Sequence, residues 1–256
     1  DTARLLDAVH GPGVGDTVIA PPPSRPYVDE VGADPGRLRI GLLDHHPRGE
    51  FVHDDCVAAV RSAASLLESL GHSVEPGFPA PMADPSFTQR FMSMWGANMA
   101  IGLEGYAAAL GRDLTESEVE PVNWAQAQFA AHVSSTDYAK ALAAVAEFRR
   151  KVQQWWADGF DLLLTPTLAE PPVRIGEHDP TPDDPMAGMK RAAAWVPFTP
   201  PFNATGQPGI NVPLSWNDAG LPVGIQLVAG NGREDVLIRV ASQLEAAQPW
   251  AQRTPS

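Results

Sequence analysis

The sequence predicts an α/β fold carrying a helical insertion, and three observations support that class. Residues 37–77 read strand, helix, strand with short connectors, the pattern of a βαβ unit whose strands pair in parallel through a right-handed crossover. Residues 86–157 carry helical apolar periodicity with few breaks. The last third returns to strand patterns and closes on an amphipathic helix. No internal repeat interrupts this order.

The chain opens DTARLLDAVHG, where Ala3, Leu5, Leu6 and Val9 form an apolar stripe at near-helical spacing. A helix that begins at the first residue, without cap or leader, leads to the expectation that this is a piece of something longer. Residues 11–26 are half glycine and proline and predict a connector with polyproline II character. The Gly11-x-Gly13-x-Gly15 spacing within it lacks the context of a phosphate loop. That motif follows a strand and opens a helix, whereas this one follows a helix and runs into prolines.

RLRIGLLD then predicts a buried strand around Ile40–Leu43. Asp54 to Leu70 predicts a helix with Val57, Val60, Ala64 and Leu67 on one face, closed by Gly71 at C′. HSVEPG (72–77) supplies the second strand. Residues 86–110 and 113–133 predict helices, the second interrupted at Pro121. From Asp137 to Trp156, Tyr138, Leu142, Val145, Phe148, Val152 and Trp155 make one continuous apolar face, with Ser135 or Thr136 as N-cap. Residues 161–165 predict a buried strand ending at Pro166, and the prolines of 171–185 predict a loop. Strands at 209–214 and 223–229 are joined by a turn at 217–220. The final helix spans Glu234 to Ala247, with Val236, Leu237, Val240 and Leu244 inward and Pro249 stopping it.

Composition narrows the function. With 44% hydrophobic residues, the 256-residue chain can bury a core. Eighteen basic against 31 acidic residues give a net charge of −13, which argues against a nucleic-acid partner or an anionic membrane surface. The single cysteine, Cys56, excludes an intrachain disulfide and cysteine-rich metal sites. No apolar run is long enough for a membrane span and no secretory pattern opens the chain, so a cytoplasmic location is expected. Only Lys140, Lys151 and Lys190 could serve as a catalytic lysine.

Asp44-His45-His46 and His53-Asp54-Asp55-Cys56 place several metal-ligating types within thirteen residues. Their positions at a strand exit and a helix start explain most of them without a metal. Ser134-Ser135 followed by Lys140 allows a Ser–Lys arrangement, yet both serines stand where a helix needs a cap and no glycine elbow follows. FMSMWGAN (91–98) draws more attention: Gly96 permits close backbone approach, and Asn98 can both donate to and accept from a substrate amide. The proline-rich PFTPPFNATGQPGINVPL (197–214) reads as a tightly specified turn leading to a buried strand.

FDLLLTPTLAEPPVRIGE (160–177) and FTPPFNATGQPGINVPLSWNDAGLPVGIQLVAGNGREDVLIRVASQLEAAQPW (198–250) resemble the C-terminal half of amidase signature enzymes. DTARLLDAVHGPGVGD and the strand–helix–strand unit are similar to the family's middle portion. Within the family, the FTPPFNATGQP wording is most similar to bacterial amidases of the 6-aminohexanoate-cyclic-dimer hydrolase kind. The resemblance implies the C-terminal part of the amidase signature fold, a mixed β-sheet flanked by helices. It also implies amide hydrolysis without a cofactor, by a Ser–cis-Ser–Lys triad with an oxyanion hole of backbone N–H groups.

The family's glycine- and serine-rich signature and its catalytic lysine have no match here, and Asp1 falls just past the nucleophile in family order. No catalytic residue is therefore assigned. Residues 1–36 are expected to be a helix and connector, and 37–256 the α/β part, with its insertion at about 86–157. The expected substrate-binding residues, by resemblance, are Trp95 and Asn98 on the acyl side and Phe202 and Asn203 on a loop approaching the active site. Their apolar character, with no arginine among them, points to a neutral or apolar amide. The expected partners are that small molecule and a missing N-terminal part of the same enzyme. The rival reading is a catalytically inactive, stand-alone α/β binding or assembly module, which would self-associate through an open sheet edge and uncovered apolar surface.

Overall fold

A computed structural model describes residues 1–181 and 183–254. Among them are five strands: β1 (Arg39–Leu42), β2 (Ser73–Pro76), β3 (Leu162–Pro166), β4 (Gly209–Trp216) and β5 (Pro222–Ala229). They form one mixed sheet in the order β2-β1-β3-β5-β4. β1 runs parallel to β2 and β3, while β5 is antiparallel to both β3 and β4. The eight α-helices are α1 (Thr2–Val9), α2 (Asp54–Ser69), α3 (Ser86–Leu110), α4 (Pro121–Ala130), α5 (Ser135–Ala157), α6 (Ala187–Trp195), α7 (Pro200–Thr205) and α8 (Glu234–Ala247). The α/β class, the βαβ unit and the central helical stretch thus take the form the sequence predicts.

β3 is central, and all five of its residues are buried. That is why it reads as an unbroken apolar run rather than an alternation. Leu162 and Leu164 join Ile40, Ile225 and Leu227 under α2 and α8. Leu163 points the other way, to Val228, Phe198, Phe202 and the two tryptophans at the end of α5. Trp155 lies across β1, where a Cβ on Gly41 would come within 2.5 Å of its ring and 2.6 Å of the Gly77 carbonyl oxygen. Phe160 stacks on Trp155 at 4.0 Å, and the Arg39 guanidinium sits 4.0 Å over Phe160.

Several expectations need correction. In α1 only Ala3 and Leu6 pack, against Tyr27 and Ile238, while Leu5 and Val9 are exposed. The short helix touches the body along a narrow line. On α5, Leu142 is exposed and Ala141 is buried instead, because the small side chain lets neighbouring helices close in. The cap of α5 is Ser134. The helix expected over 113–133 reduces to a 3₁₀ turn, Glu116–Glu118, and α4. Pro121, with no N–H to lose, starts α4 rather than interrupting a longer helix. A short helix, α7, occupies part of the stretch that reads as a turn, and another, α6, falls between the expected loop and that turn, where no element is expected.

Residues 1–36 dock on α8. Asp7 accepts the backbone N–H groups of Tyr27 and Val28 at 2.6 and 2.9 Å. Glu30, 1% exposed, receives Arg25 through two hydrogen bonds of 2.7 and 2.6 Å and Arg239 of α8 through one of 2.5 Å. The Arg25 and Arg239 hydrogen bonds hold its carboxyl at about 2, against an ordinary value of 4.5. A depressed carboxyl pKa adds stability above the unfolded value and loses it as pH falls through the folded one. In acid titrations of unfolding free energy, the advantage of the native chain over Glu30→Gln should be full above pH 4.5 and vanish towards about 2. A difference that stays constant across that window would contradict the clamp.

Candidate functional site

α3 carries the side chains that sequence reasoning singled out. At about 3.6 residues per turn, Phe87, Phe91, Trp95 and Asn98 fall on one stripe of the helix. The stripe is buried at its start and open at its end. Phe87 stacks on Phe148 of α5 at 4.3 Å and on Phe91 at 5.7 Å. Trp95 then meets Phe91 edge-on at 5.5 Å with 43% of its surface exposed. Asn98, one turn on, is exposed, its Nδ2 donating to the Met94 carbonyl at 3.1 Å. Gly96, buried on a different side of α3, has a packing explanation after all. A Cβ there would lie 3.2 Å from the Gln126 carbonyl oxygen, so glycine lets α4 seat against α3.

The other candidates lie on α7. Phe202 is buried in the core beneath the sheet and meets Trp156 at 6.4 Å, so its ring fixes α7 to the body. Asn203 beside it is exposed. Its neighbour Ala204 packs on the Phe87–Phe148–Val152 cluster that also carries Phe91. One aromatic cluster thus supports both Trp95 and the helix bearing Asn203. Trp95, Asn98 and Asn203 stand at the surface, and Phe202 does not. Arg90 is near Trp95 in sequence, yet Gln89, Arg90 and Ser93 occupy the side of α3 turned away from it.

Sequence reasoning missed the polar strip on the sheet face that carries Phe198. Gln226 donates to Thr165 Oγ1 at 3.3 Å and to the Phe198 carbonyl at 3.2 Å. Gln207 donates to the Ala229 carbonyl at 3.0 Å and accepts from Thr205 Oγ1 at 3.0 Å. Thr167 donates to Asn211 Oδ1, and the Asn211 side chain lies over Gly224 where any Cβ would collide. A hollow of 230 Å³ opens beside this pair, with Cys56, Leu168, Pro171 and Val223 among its walls. Burial pushes the Cys56 thiol up to about 12, which keeps it protonated and unreactive. The sequence signal was present in Gln226, a polar residue inside an otherwise apolar strand, whereas Gln207 lies in the turn before β4.

The metal and Ser–Lys arrangements resolve into structural roles. Asp44 pairs with Arg61 at 2.7 Å and His45 at 3.1 Å. His46 Nδ1 accepts from the Arg48 N–H, and His53 Nδ1 accepts from the Asp55 N–H as the N-cap of α2. Among the described residues, no three His, Cys, Asp or Glu side chains converge. Ser134 Oγ accepts the Asp137 N–H at 3.1 Å and donates to its carboxylate at 2.6 Å, which holds the Asp137 carboxyl below its usual range. Lys140, Lys151 and Lys190 are exposed and pair with Asp137, Glu147 and Asp184. Among the described residues no helix is long and apolar enough to cross a membrane.

Ser134→Ala should therefore lower stability by about 1 kcal/mol through loss of the cap, read as a shifted urea midpoint. An unchanged midpoint would remove the capping role.

A family model described as Amidase matches residues 1–238. The chain is 39% identical over 261 residues to the 6-aminohexanoate-cyclic-dimer hydrolase of Pseudomonas sp. (strain NK87), covering all of this chain and 53% of that protein. The protein of the same description from Paenarthrobacter ureafaciens matches equally, at 39%. A putative amidase AmiC of Mycobacterium leprae is 34% identical over 235 residues, 90% of this chain and 48% of that one. The solved structure of a 6-aminohexanoate cyclic dimer hydrolase complexed with substrate superposes with a TM-score of 0.94 at 38% identity, over 99% of this chain and 54% of that chain. A bacterial aryl acylamidase superposes at 0.77 with 20% identity and shows the shared fold. The chain spans about half the length of the curated relatives it matches.

Proposed function

The chain belongs to the amidase family, and from that premise we propose that it forms the part of an amide-bond hydrolase that shapes the substrate pocket. The Ser–cis-Ser–Lys core is then supplied by polypeptide outside these residues. One observation carries this reading: near-complete superposition on a cyclic-dimer hydrolase that accounts for only 54% of that enzyme. The side chains agree with it. Ser134 is a helix cap whose hydroxyl donates to Asp137, and the three lysines stand at the surface beside Asp137, Glu147 and Asp184, so Ser134 and Lys140 do not form a nucleophile–base pair.

In this reading the nucleophile and its relay come from the complementary part, and the present residues bind and orient. Trp95 offers a flat apolar wall and Asn98 an amide able to pair with both the C=O and the N–H of a substrate. Asn203 approaches from α7, held by Phe202 beneath it. Trp95, Asn98, Phe202 and Asn203 carry no charge, which fits a neutral or apolar amide substrate, linear or cyclic.

A fluorophosphonate probe should leave the isolated chain unlabelled. It should label a chimera in which the unmatched N-terminal half of the Paenarthrobacter ureafaciens hydrolase precedes this chain, and the chimera should hydrolyse the 6-aminohexanoate cyclic dimer. Labelling of the isolated chain would overturn the division of labour. A folded chimera that neither labels nor turns over would favour the inert binding module.

In an active chimera, Trp95→Ala should reduce kcat/KM by about tenfold, the scale of one lost apolar pocket contact. The effect should be carried mainly by KM. An unchanged KM would remove Trp95 from the pocket.

A further inference from the structure

A second hollow, of 330 Å³, lies where α3, the turn after α4 and the first turns of α5 meet. Gln89, Arg90 and Ser93 line it from α3, His132 from the turn, and Asp137 and Lys140 from α5. It is on the side of α3 turned away from Trp95 and Asn98, so it is separate from the proposed pocket face. We propose that this hollow binds the carboxylate of a small organic acid. The choice of a carboxylate over other anions rests on the amidase reading, since amide hydrolysis releases an acid.

The argument is one of unspent positive charge. Arg90 feels Asp84 and Glu147 through space, but both carboxylates are engaged elsewhere. Asp84 accepts the Ser86 N–H and hydroxyl at 2.8 and 2.7 Å, and Glu147 is held by Lys151 at 2.7 Å. Lys140 reaches Asp137 only at 3.7 Å, while Asp137 takes the Ser134 hydroxyl at 2.6 Å. Two cationic side chains, Arg90 and Lys140, and the His132 ring therefore face the hollow with one carboxylate among them.

This local excess stands out in a chain whose net charge is −13, where an anion is repelled from most of the surface. The Arg90 guanidinium can clamp a carboxylate through two parallel hydrogen bonds, and Lys140 and His132 add donors. The volume equals that of about ten waters, more than a bare oxyanion needs. Val133 and Ala141 complete the lining and give a short alkyl chain an apolar contact.

The test is butyrate titrated into the chain as it stands, followed by the His132 ring resonances and by calorimetry. Saturable binding is expected, weakened at least about tenfold in Arg90→Gln/Lys140→Gln and unaffected by Lys190→Gln, whose lysine pairs with Asp184 elsewhere. The substituted side chains are exposed, and a thermal melt confirms that the double variant stays folded. Arg90→Gln and Lys140→Gln singly should each give an intermediate loss. Absence of saturable binding, or undiminished binding in the double variant, overturns the site. Inorganic phosphate binding more tightly than butyrate overturns the assignment to an organic acid. No turnover is measured, so failure here is separable from failure of the amidase reading.

Discussion

β3 has to satisfy neighbours running in opposite directions while being covered on both faces, and the rest of the molecule is arranged around that demand. On one side it takes parallel bonds from β1, on the other antiparallel bonds from β5. A strand so enclosed cannot leave any backbone group to solvent. It therefore needs a helical layer above and another below. α2 and α8 form the first and meet the sheet through aliphatic side chains. The second is built differently, from aromatic rings at the end of α5 and from the Phe198–Phe202 segment. That asymmetry leaves β1 with a glycine at position 41, because only a residue without a Cβ fits under Trp155.

The aromatic layer also explains how a helical insertion can present side chains away from the sheet. Phe148 and Val152 of α5 anchor Phe87 at the start of α3, and the rest of α3 extends beyond that anchor with progressively less cover. Trp95 and Asn98 are exposed because the α5 anchor lies one to two turns earlier and α4 covers the other side of α3, at Gly96. α7 is tied into the same layer through Phe202 and Ala204. Movement of either helix would have to disturb rings that also pack against the sheet. This is rigidity borrowed from the core, of the kind the proposed pocket face requires.

Where the local pattern is strong, it was legible in the sequence. The bounds of α3 and α8, the β4–β5 hairpin and the parallel β1–β2 unit follow from periodicity, capping and turn residues that tertiary contacts have no reason to override. The rest depended on partners far away in the chain. Leu142 and Ala141 exchange roles because a neighbouring helix decides which of two adjacent apolar residues is covered. α6 was invisible because its helix begins beyond a proline-rich loop that folds back on it; a Cβ on Gly188 would collide with the His178 carbonyl. α7 was hidden by Pro200 and Pro201, which suit a helix's first turn as well as a loop. At the candidate site, sequence reasoning picked α3 and α7 but could not separate Phe202, an anchor, from Asn203, a surface group. Gln226 stands out in its apolar strand, but its place beside Thr165 follows only from the sheet register.

The Glu30–Arg239 contact joins residues 209 positions apart, and this has a bearing on the order in which the molecule takes shape. The βαβ unit and the β4–β5 hairpin can each form from nearby residues. Residues 1–36 hold one another locally through Asp7 and Arg25, but their long-range buried contacts, Ala3 and Tyr27 on Ile238 and Glu30 on Arg239, lie on α8. On the ribosome those contacts wait until α8 has been made, after every strand of the sheet. Seating α8 supplies this contact surface, and the entropy of closing so long a loop falls on that step. The seam between residues 1–36 and α8 thus closes after the βαβ unit and the hairpin.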